Sequence, residues 1–128
     1  MSNALAQISK VGTSIWLDDL SRSRLVNNSG NPEKSLLHLT RNSHVVGVTT
    51  NPAIFANALK DAETYRDAIS ALRGKSADDA IRLITTEDVR IACDQLQEIY
   101  EKTSGVDGRV SIEVDPRLAH EEFATIKQ

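Results

Sequence analysis

The sequence predicts an α/β fold made of about three strand–helix units with parallel strands. Three short segments rich in β-branched or aromatic residues, 13–18, 45–50 and 109–114, alternate with stretches of helical periodicity. This alternating order favours parallel pairing through right-handed crossovers. A chain of 128 residues has room for one domain of common size.

The helices that separate the first two strands and follow the second have recognisable end signals. An Asn-Pro pair at 31–32 is typical of an N-cap with Pro at the first helical position, and the same pair at 51–52 opens a helix over 53–59. A further helix over 62–73 is expected to end at Gly74, because glycine tolerates the left-handed conformation that closes many helices.

Two helices are predicted before the third strand. The run Ser-Ala-Asp-Asp at 76–79 resembles a capping box for a helix over 77–84, and either threonine at 85–86 is expected to cap a second helix over 87–102. In the second helix, apolar residues recur at helical spacing and indicate one buried stripe: Val89, Ala92, Cys93, Leu96, Ile99 and Tyr100. We therefore expect Cys93 to pack in the core rather than to act as a reactive thiol.

Polar residues lie near the carboxyl end of each predicted strand. Because strand side chains alternate, Asp18 faces away from the aliphatic residues of the first strand, Thr49 and Asn51 share one side of the second, and Ser111 and Glu113 share one side of the third. In a (β/α)8 barrel the aliphatic side packs under the helices and the polar side enters the mouth, where active sites form. Parallel sheets are either covered on both faces or closed into barrels, and in both cases these positions together favour a polar site.

Each of these residues also has a purely structural interpretation. Asp18 could belong to a turn, and Asn51 taken alone is best explained as the N-cap of the following helix. Glu113 is harder to explain in this way, because a carboxylate in a buried parallel strand is costly unless it is paired. A surface antiparallel strand would accommodate Glu113, but the strand–helix order argues against one. Asp115 could assist the turn before Pro116.

Composition and charge argue against several other functions. Eighteen acidic residues against fifteen Lys and Arg give a net charge of −3, so we expect neither nucleic acid nor an anionic membrane as a partner. No apolar run reaches the roughly 18 residues that a membrane span requires. The three histidines lack the spacing of a metal site. A single cysteine fits a reducing cytoplasm.

The end of the sequence predicts an incomplete domain. The stretch 118–128 has a helical pattern, yet no Gly, Pro or basic cap ends it. A (β/α)8 barrel has eight strands and typically about 250 residues. We therefore expect residues 1–128 to be the N-terminal segment of a barrel domain that is incomplete at its C-terminus.

Three runs of sequence resemble transaldolases, in particular the forms found in bacteria such as actinobacteria and cyanobacteria. These are SIWLDDLSR at 14–22, GVTTNPAIF at 47–55 and DGRVSIEVDPRLAH at 107–120. The TTNP motif is shared with fructose-6-phosphate aldolases, whereas VSIEVDPRLAH is more specific. The resemblance covers nearly the whole chain from about residue 8, but only the first three strands of the family's barrel.

The resemblance implies a class I transaldolase of the pentose phosphate pathway, which uses no metal or organic cofactor. Such enzymes form a Schiff base between a lysine and a ketose phosphate. They transfer a dihydroxyacetone unit from sedoheptulose 7-phosphate to glyceraldehyde 3-phosphate, giving erythrose 4-phosphate and fructose 6-phosphate. The expected partners are therefore sugar phosphate substrates.

The resemblance also implies roles for the strand-end residues. Asp18 matches an aspartate that contacts donor hydroxyls and assists proton transfer in C–C cleavage, while Asn51 and Thr49 match donor-binding positions. Glu113 matches a glutamate that acts through a water as acid and base in Schiff-base formation and hydrolysis, with Ser111 beside it. The family's Schiff-base lysine lies on the fourth strand, beyond residue 128. We therefore expect this chain alone to be inactive.

Three other interpretations stay open at this point. The segment could be a noncatalytic βα module, or the transaldolase half of a fused transaldolase and glucose-6-phosphate isomerase. A fructose-6-phosphate aldolase is less favoured, because those short proteins have fewer helical residues between the second and third strands than the stretch 52–108.

Overall fold

Three parallel strands, adjacent in chain order, form the centre of the structure. The computed structural model describes residues 4–26 and 31–127. Its sheet has the order β1–β2–β3, with β1 at Ile15–Leu17, β2 at Val45–Val48 and β3 at Arg109–Val110. The predicted strands, their parallel pairing and the α/β class are confirmed, although every strand is shorter than predicted.

Helices connect and cover these strands. In the described residues they are α1 Ala4–Lys10, α2 Arg22–Leu25, α3 Leu36–Asn42, α4 Pro52–Ala58, α5 Arg66–Ala71, α6 Ala77–Lys102 and α7 Glu122–Lys127. Among the described residues, no helix has both the length and the apolar character needed to cross a membrane. The helix predicted over 118–128 is divided into a 3₁₀ turn, Pro116–Leu118, and α7, and its last residue lies outside the described residues.

The sequence predicted that the Asn-Pro pair at 31–32 begins an α-helix, and this prediction is wrong. The pair opens a 3₁₀ turn, Pro32–Lys34, and α3 starts after Ser35. The Ser35 hydroxyl accepts a hydrogen bond from the His38 amide at 3.2 Å, so serine supplies the cap. The helix predicted over 62–73 is also shorter, and forms only α5.

One continuous helix, α6, replaces the two helices predicted between 77 and 102. Its N-cap is Ser76, which accepts from the Asp79 amide at 3.1 Å and donates to the Asp79 carboxylate at 2.8 Å. Thr85 and Thr86 do not cap a second helix. Their hydroxyls donate to the Arg82 carbonyl at 3.2 and 2.6 Å, so the helix continues through them.

The main core lies between the sheet and helices α2, α3, α4 and α6. Ala92 and Leu96 of α6 are completely buried there. Cys93, expected in the same core, is exposed instead, because one further residue turns the side chain about 100° around the helix axis. Partial burial and the neighbouring Asp94 raise the pKa of its thiol. A thiol with a raised pKa is a weaker nucleophile at neutral pH.

A shift in register determines which side chains of β2 reach the core. Ile15 pairs with Val45, but the next residue, Trp16, pairs with Gly47. Val45 and Val48 therefore both join the core cluster, although strict alternation along a strand would place them on opposite faces of the sheet. Beyond this extra residue the two strands pair regularly again. Gly47 therefore lies on the same side of the sheet as its partner Trp16.

Candidate active site

The carboxyl ends of β1 and β2 bring two of the predicted site residues into contact. The Thr49 hydroxyl donates a hydrogen bond to the Asp18 Oδ1 atom at 2.7 Å. The Thr49 amide donates to the Leu17 carbonyl at 2.8 Å, which extends the pairing beyond the strand ends. Thr49 therefore holds one carboxylate oxygen of the exposed Asp18. The other oxygen, Oδ2, makes no hydrogen bond within the described residues and can accept one from a ligand.

The ends of β2 and β3 are joined by Thr50 and Ser111. The Thr50 amide donates to the Ser111 hydroxyl at 3.2 Å, and the Thr50 hydroxyl donates to the Ser111 carbonyl at 2.7 Å. Thr50 is only 3% exposed. Thr50 was not among the predicted site residues, yet its buried hydroxyl fixes the backbone that carries Thr49 and Asn51 on either side.

Asn51 is the N-cap of α4, as the Asn-Pro pair at 51–52 predicted. Its Oδ1 atom accepts from the Ile54 amide at 2.9 Å. Its Nδ2 group makes no hydrogen bond within residues 4–26 and 31–127. The half-buried amide can therefore cap the helix with its oxygen and donate to a ligand with its nitrogen.

Glu113 lies beyond the end of β3 rather than inside a buried strand, and it is exposed. The prediction of a strand over 109–114 is wrong beyond Val110. The chain of β2 turns into α4 at Pro52, so no backbone of β2 is left for residues 112–114 to pair with. In the described part of the chain, Glu113 has no hydrogen-bond or ion-pair partner. Its carboxylate is therefore available to a ligand or a water.

Asn51 and Glu113 line the same cleft, whose volume is about 380 Å³. Its walls are α4, α6 and the segment 112–117, and its apolar lining includes Phe55, Ile81, Ile112 and Val114. Arg117, at the edge of the cleft, forms an ion pair with Asp78 at 3.2 Å and another with Asp115, and it holds the pKa of Asp115 below its usual range. Asp115 also caps the 3₁₀ turn at Pro116.

Asp18 lines a second depression, together with Asp19, Ser21 and Asp61. Residues of α4 line both depressions. The structure therefore brings Asp18 together with Thr49, and Asn51 together with Glu113, but it does not bring Asp18 and Glu113 into one cavity.

The described residues supply neither a metal site nor a strand-borne amine. No group of three or more His, Cys, Asp or Glu in residues 4–26 and 31–127 could hold a metal ion. All six lysines are described, and each lies in a helix or a connection: Lys10, Lys34, Lys60, Lys75, Lys102 and Lys127.

A family model described as transaldolase/fructose-6-phosphate aldolase matches residues 15–128. The chain belongs to this family. The matched region contains all three strands and every residue of the candidate site. The parallel sheet with its crossover helices is consistent with the N-terminal part of the (β/α)8 barrel that the sequence predicted.

Curated relatives in this family are named transaldolase. The chain is 50% identical to the transaldolase of Acidothermus cellulolyticus over its whole length, which covers 33% of that protein. It is 55% identical to the transaldolase of Kocuria rhizophila and 56% identical to that of Mycobacterium tuberculosis strain CDC 1551, with 98% and 97% of this chain aligned. The chain spans about a third of the length of the relatives it matches.

A buried polar cluster that was not predicted from the sequence is formed by Arg22, Tyr65 and Asp88. Tyr65 and Asp88 are 1% and 0% exposed. Burial raises the pKa of Asp88, and hydrogen bonds from Tyr65 and Arg22 partly offset this effect. Burial and the hydrogen bond to Asp88 raise the pKa of Tyr65. The sequence did contain a signal for Asp88. It lies four residues after Ile84 and four before Ala92, a spacing that places all three on the same buried side of a helix.

Proposed function

We propose that these residues form the N-terminal part of a transaldolase. The complete enzyme would transfer a dihydroxyacetone unit from sedoheptulose 7-phosphate to glyceraldehyde 3-phosphate through a lysine Schiff base, as a step of the pentose phosphate pathway. The observation that carries the proposal is the set of polar side chains at the carboxyl ends of three adjacent parallel strands, in a chain of this family. The names of the relatives favour transfer over simple aldol cleavage.

The geometry supports a separate role for each proposed site residue. Asp18, held through Oδ1 by Thr49, is our candidate for the base that removes a donor hydroxyl proton in C–C cleavage. Asn51 would donate from its Nδ2 group to the donor. Glu113 would exchange protons through a water during Schiff-base formation and hydrolysis. Ser111 would bind substrate through its hydroxyl proton, because that oxygen already accepts from the Thr50 amide.

The nucleophile of the proposed reaction would come from outside these residues. A Schiff-base lysine needs a desolvated position or a neighbouring cation that lowers its pKa. Lys60 and Lys102 instead donate to Asn57 and Glu98 on exposed helix surfaces. Because none of the six lysines has such a position, we propose that residues 1–128 alone do not carry the activity. We also propose a cytoplasmic location, which the free, exposed thiol of Cys93 supports.

The test is a transfer assay on the protein expressed from its complete reading frame. With sedoheptulose 7-phosphate as donor, we expect at most one equivalent of erythrose 4-phosphate per active site without an acceptor, and continued turnover only when glyceraldehyde 3-phosphate is present. Release of free dihydroxyacetone without an acceptor would assign an aldolase instead. No conversion of either kind would overturn the proposal.

Carboxylate variants test the proposed site within the same assay. Glu113→Gln and Asp18→Asn keep the side-chain shape and remove the basicity, so each is expected to lower kcat by at least about 100-fold. Asp107→Asn is the matched control, since Asp107 accepts from Ser14 at 2.5 Å at the opposite end of the strands. Near wild-type turnover in Glu113→Gln would show that the assigned acid–base role is wrong.

A further inference from the structure

The connection between β1 and α2 carries Asp18 and is fixed at several points. The Leu17 carbonyl accepts from the Thr49 amide at the start of the connection, and Leu20 is completely buried in its middle. The Asp19 carboxylate accepts from Arg24 Nε at 2.8 Å. These contacts leave the far end of the connection, at Arg22, to be fixed by other groups.

Arg22 is fixed by the cluster that also contains Tyr65 and Asp88. The Arg22 backbone amide donates to the Tyr65 hydroxyl at 2.9 Å, and this hydroxyl donates to Asp88 Oδ2 at 2.7 Å. The Arg22 Nε donates a hydrogen bond to Asp88 Oδ1 at 2.8 Å, and Nη2 forms an ion pair with the same oxygen at 2.7 Å. Its guanidinium lies 5.1 Å from the centroid of the Tyr65 ring.

The stability of the fold does not account for this cluster by itself. A buried ion pair contributes little net free energy, because the cost of desolvating both charges offsets their attraction. In proteins, replacing a buried ion pair by apolar side chains of similar volume is often neutral or stabilising. What Tyr65 adds is a directed acceptor for one backbone amide of the connection, held in place by Asp88.

Taking the proposed transaldolase function as given, we propose that Arg22, Tyr65 and Asp88 are positioning residues for Asp18. They fix the far end of the β1–α2 connection, so that the Asp18 carboxylate keeps one orientation toward bound substrate. The Tyr65 hydroxyl is the central element, since it accepts from the backbone on one side and donates to Asp88 on the other. None of the three residues lines either of the two depressions described above.

Tyr65→Phe in the complete protein removes this hydroxyl and keeps the ring under Arg22. The Arg22 amide then loses the acceptor it has in the described structure, and we expect its hydrogen exchange to become at least about tenfold faster. Tyr100→Phe is the matched control. Tyr100 also lies beneath an arginine, with Arg109 at 5.5 Å, but at the other end of the sheet. Unchanged exchange at Arg22 in Tyr65→Phe would overturn the inference without reference to activity.

Kinetics then separate positioning from general destabilisation. We expect Tyr65→Phe to lower kcat by about tenfold, because a displaced catalytic group loses rate steeply, while KM changes much less. In an Asp18→Asn background the same substitution should cost less than about twofold, because there is no carboxylate left to position. In a Glu113→Gln background, Tyr65→Phe should lower kcat by the full factor of about ten.

The outcomes distinguish this inference from the proposed function. An equal loss in the Asp18→Asn and Glu113→Gln backgrounds would overturn positioning while the transaldolase assignment stands. A wild-type protein without transfer activity would overturn both. If Tyr65→Phe does not fold, Arg22→Lys replaces it in the kinetic test, because it keeps the positive charge beside Asp88 and removes the two-point contact. Arg22→Lys should then also lose its effect on kcat in the Asp18→Asn background and keep it in the Glu113→Gln background.

Discussion

Substituting Gly47 by alanine tests how closely β1 and β2 pack beside the proposed site. An alanine Cβ at this position would lie 2.5 Å from Trp16 Cδ2 and Cε2 and 2.9 Å from Trp16 Nε1. Carbon atoms normally approach to about 3.5–4.0 Å, so the indole would have to retreat by about 1 Å or more. Overpacking of this kind costs about 1–3 kcal/mol.

A smaller effect opposes this cost. The backbone of Gly47 is not in the left-handed region, so alanine is not strained there, and it restricts the unfolded chain. That restriction stabilises the native state by about 0.4–1 kcal/mol. We therefore expect a net loss of about 1–2 kcal/mol in the free energy of unfolding, measured by urea denaturation of the complete protein.

A double-mutant cycle with Trp16→Leu identifies the cause of the loss. If the indole is the obstacle, Gly47→Ala should cost much less in the Trp16→Leu background, with a coupling energy of about 1 kcal/mol or more. A loss below about 0.5 kcal/mol in the single variant would refute the close packing of Trp16 on Gly47. An equal loss in both backgrounds would refute the explanation by the indole.

Two further predictions concern a cap and the pH dependence of stability. Asn51→Asp keeps the oxygen that accepts from the Ile54 amide and removes the side-chain NH2 group, so it should lower affinity for the donor substrate and the rate without loss of stability. Asn51→Ala should in addition lower the free energy of unfolding by about 1 kcal/mol. Denaturation curves combined with KM values separate the two effects. Hydrogen bonds from Ser76 and Arg90 lower the pKa values of Asp79 and Glu87, respectively. These carboxylates therefore stabilise the native state above their unfolded pKa values of about 4, and this contribution is lost as pH falls below them. Urea denaturation across that range should show a smaller loss in the double variant Asp79→Asn, Glu87→Gln; an unchanged pH dependence would contradict the assignment.

The sequence predicted those features of the fold that depend on local pattern. Three β-branched segments separated by capped helices were enough to predict parallel strands, and alternation was enough to place Asp18 and Thr49 on one face. The capping interpretation of Asn51 also followed from local chemistry, because an asparagine before a proline has few other structural roles.

Features that depend on distant partners could not be predicted in the same way. The strand ends before Glu113 because β2 has already turned into α4, and nothing in the segment 109–114 itself reports this. The register shift at Val45 and Val46 likewise arises from pairing with β1. Thr85 and Thr86 have the composition of a cap, but tertiary packing of α6 keeps them helical.

The measurement that tests the account most directly is borohydride trapping in the complete protein. We propose that residues 1–128 supply acid–base and donor-binding groups, while the amine comes from a lysine outside them. After incubation with fructose 6-phosphate and reduction, peptide mass mapping should locate one adduct on a lysine after residue 128. A stoichiometric adduct on any of the six lysines described above would contradict the account.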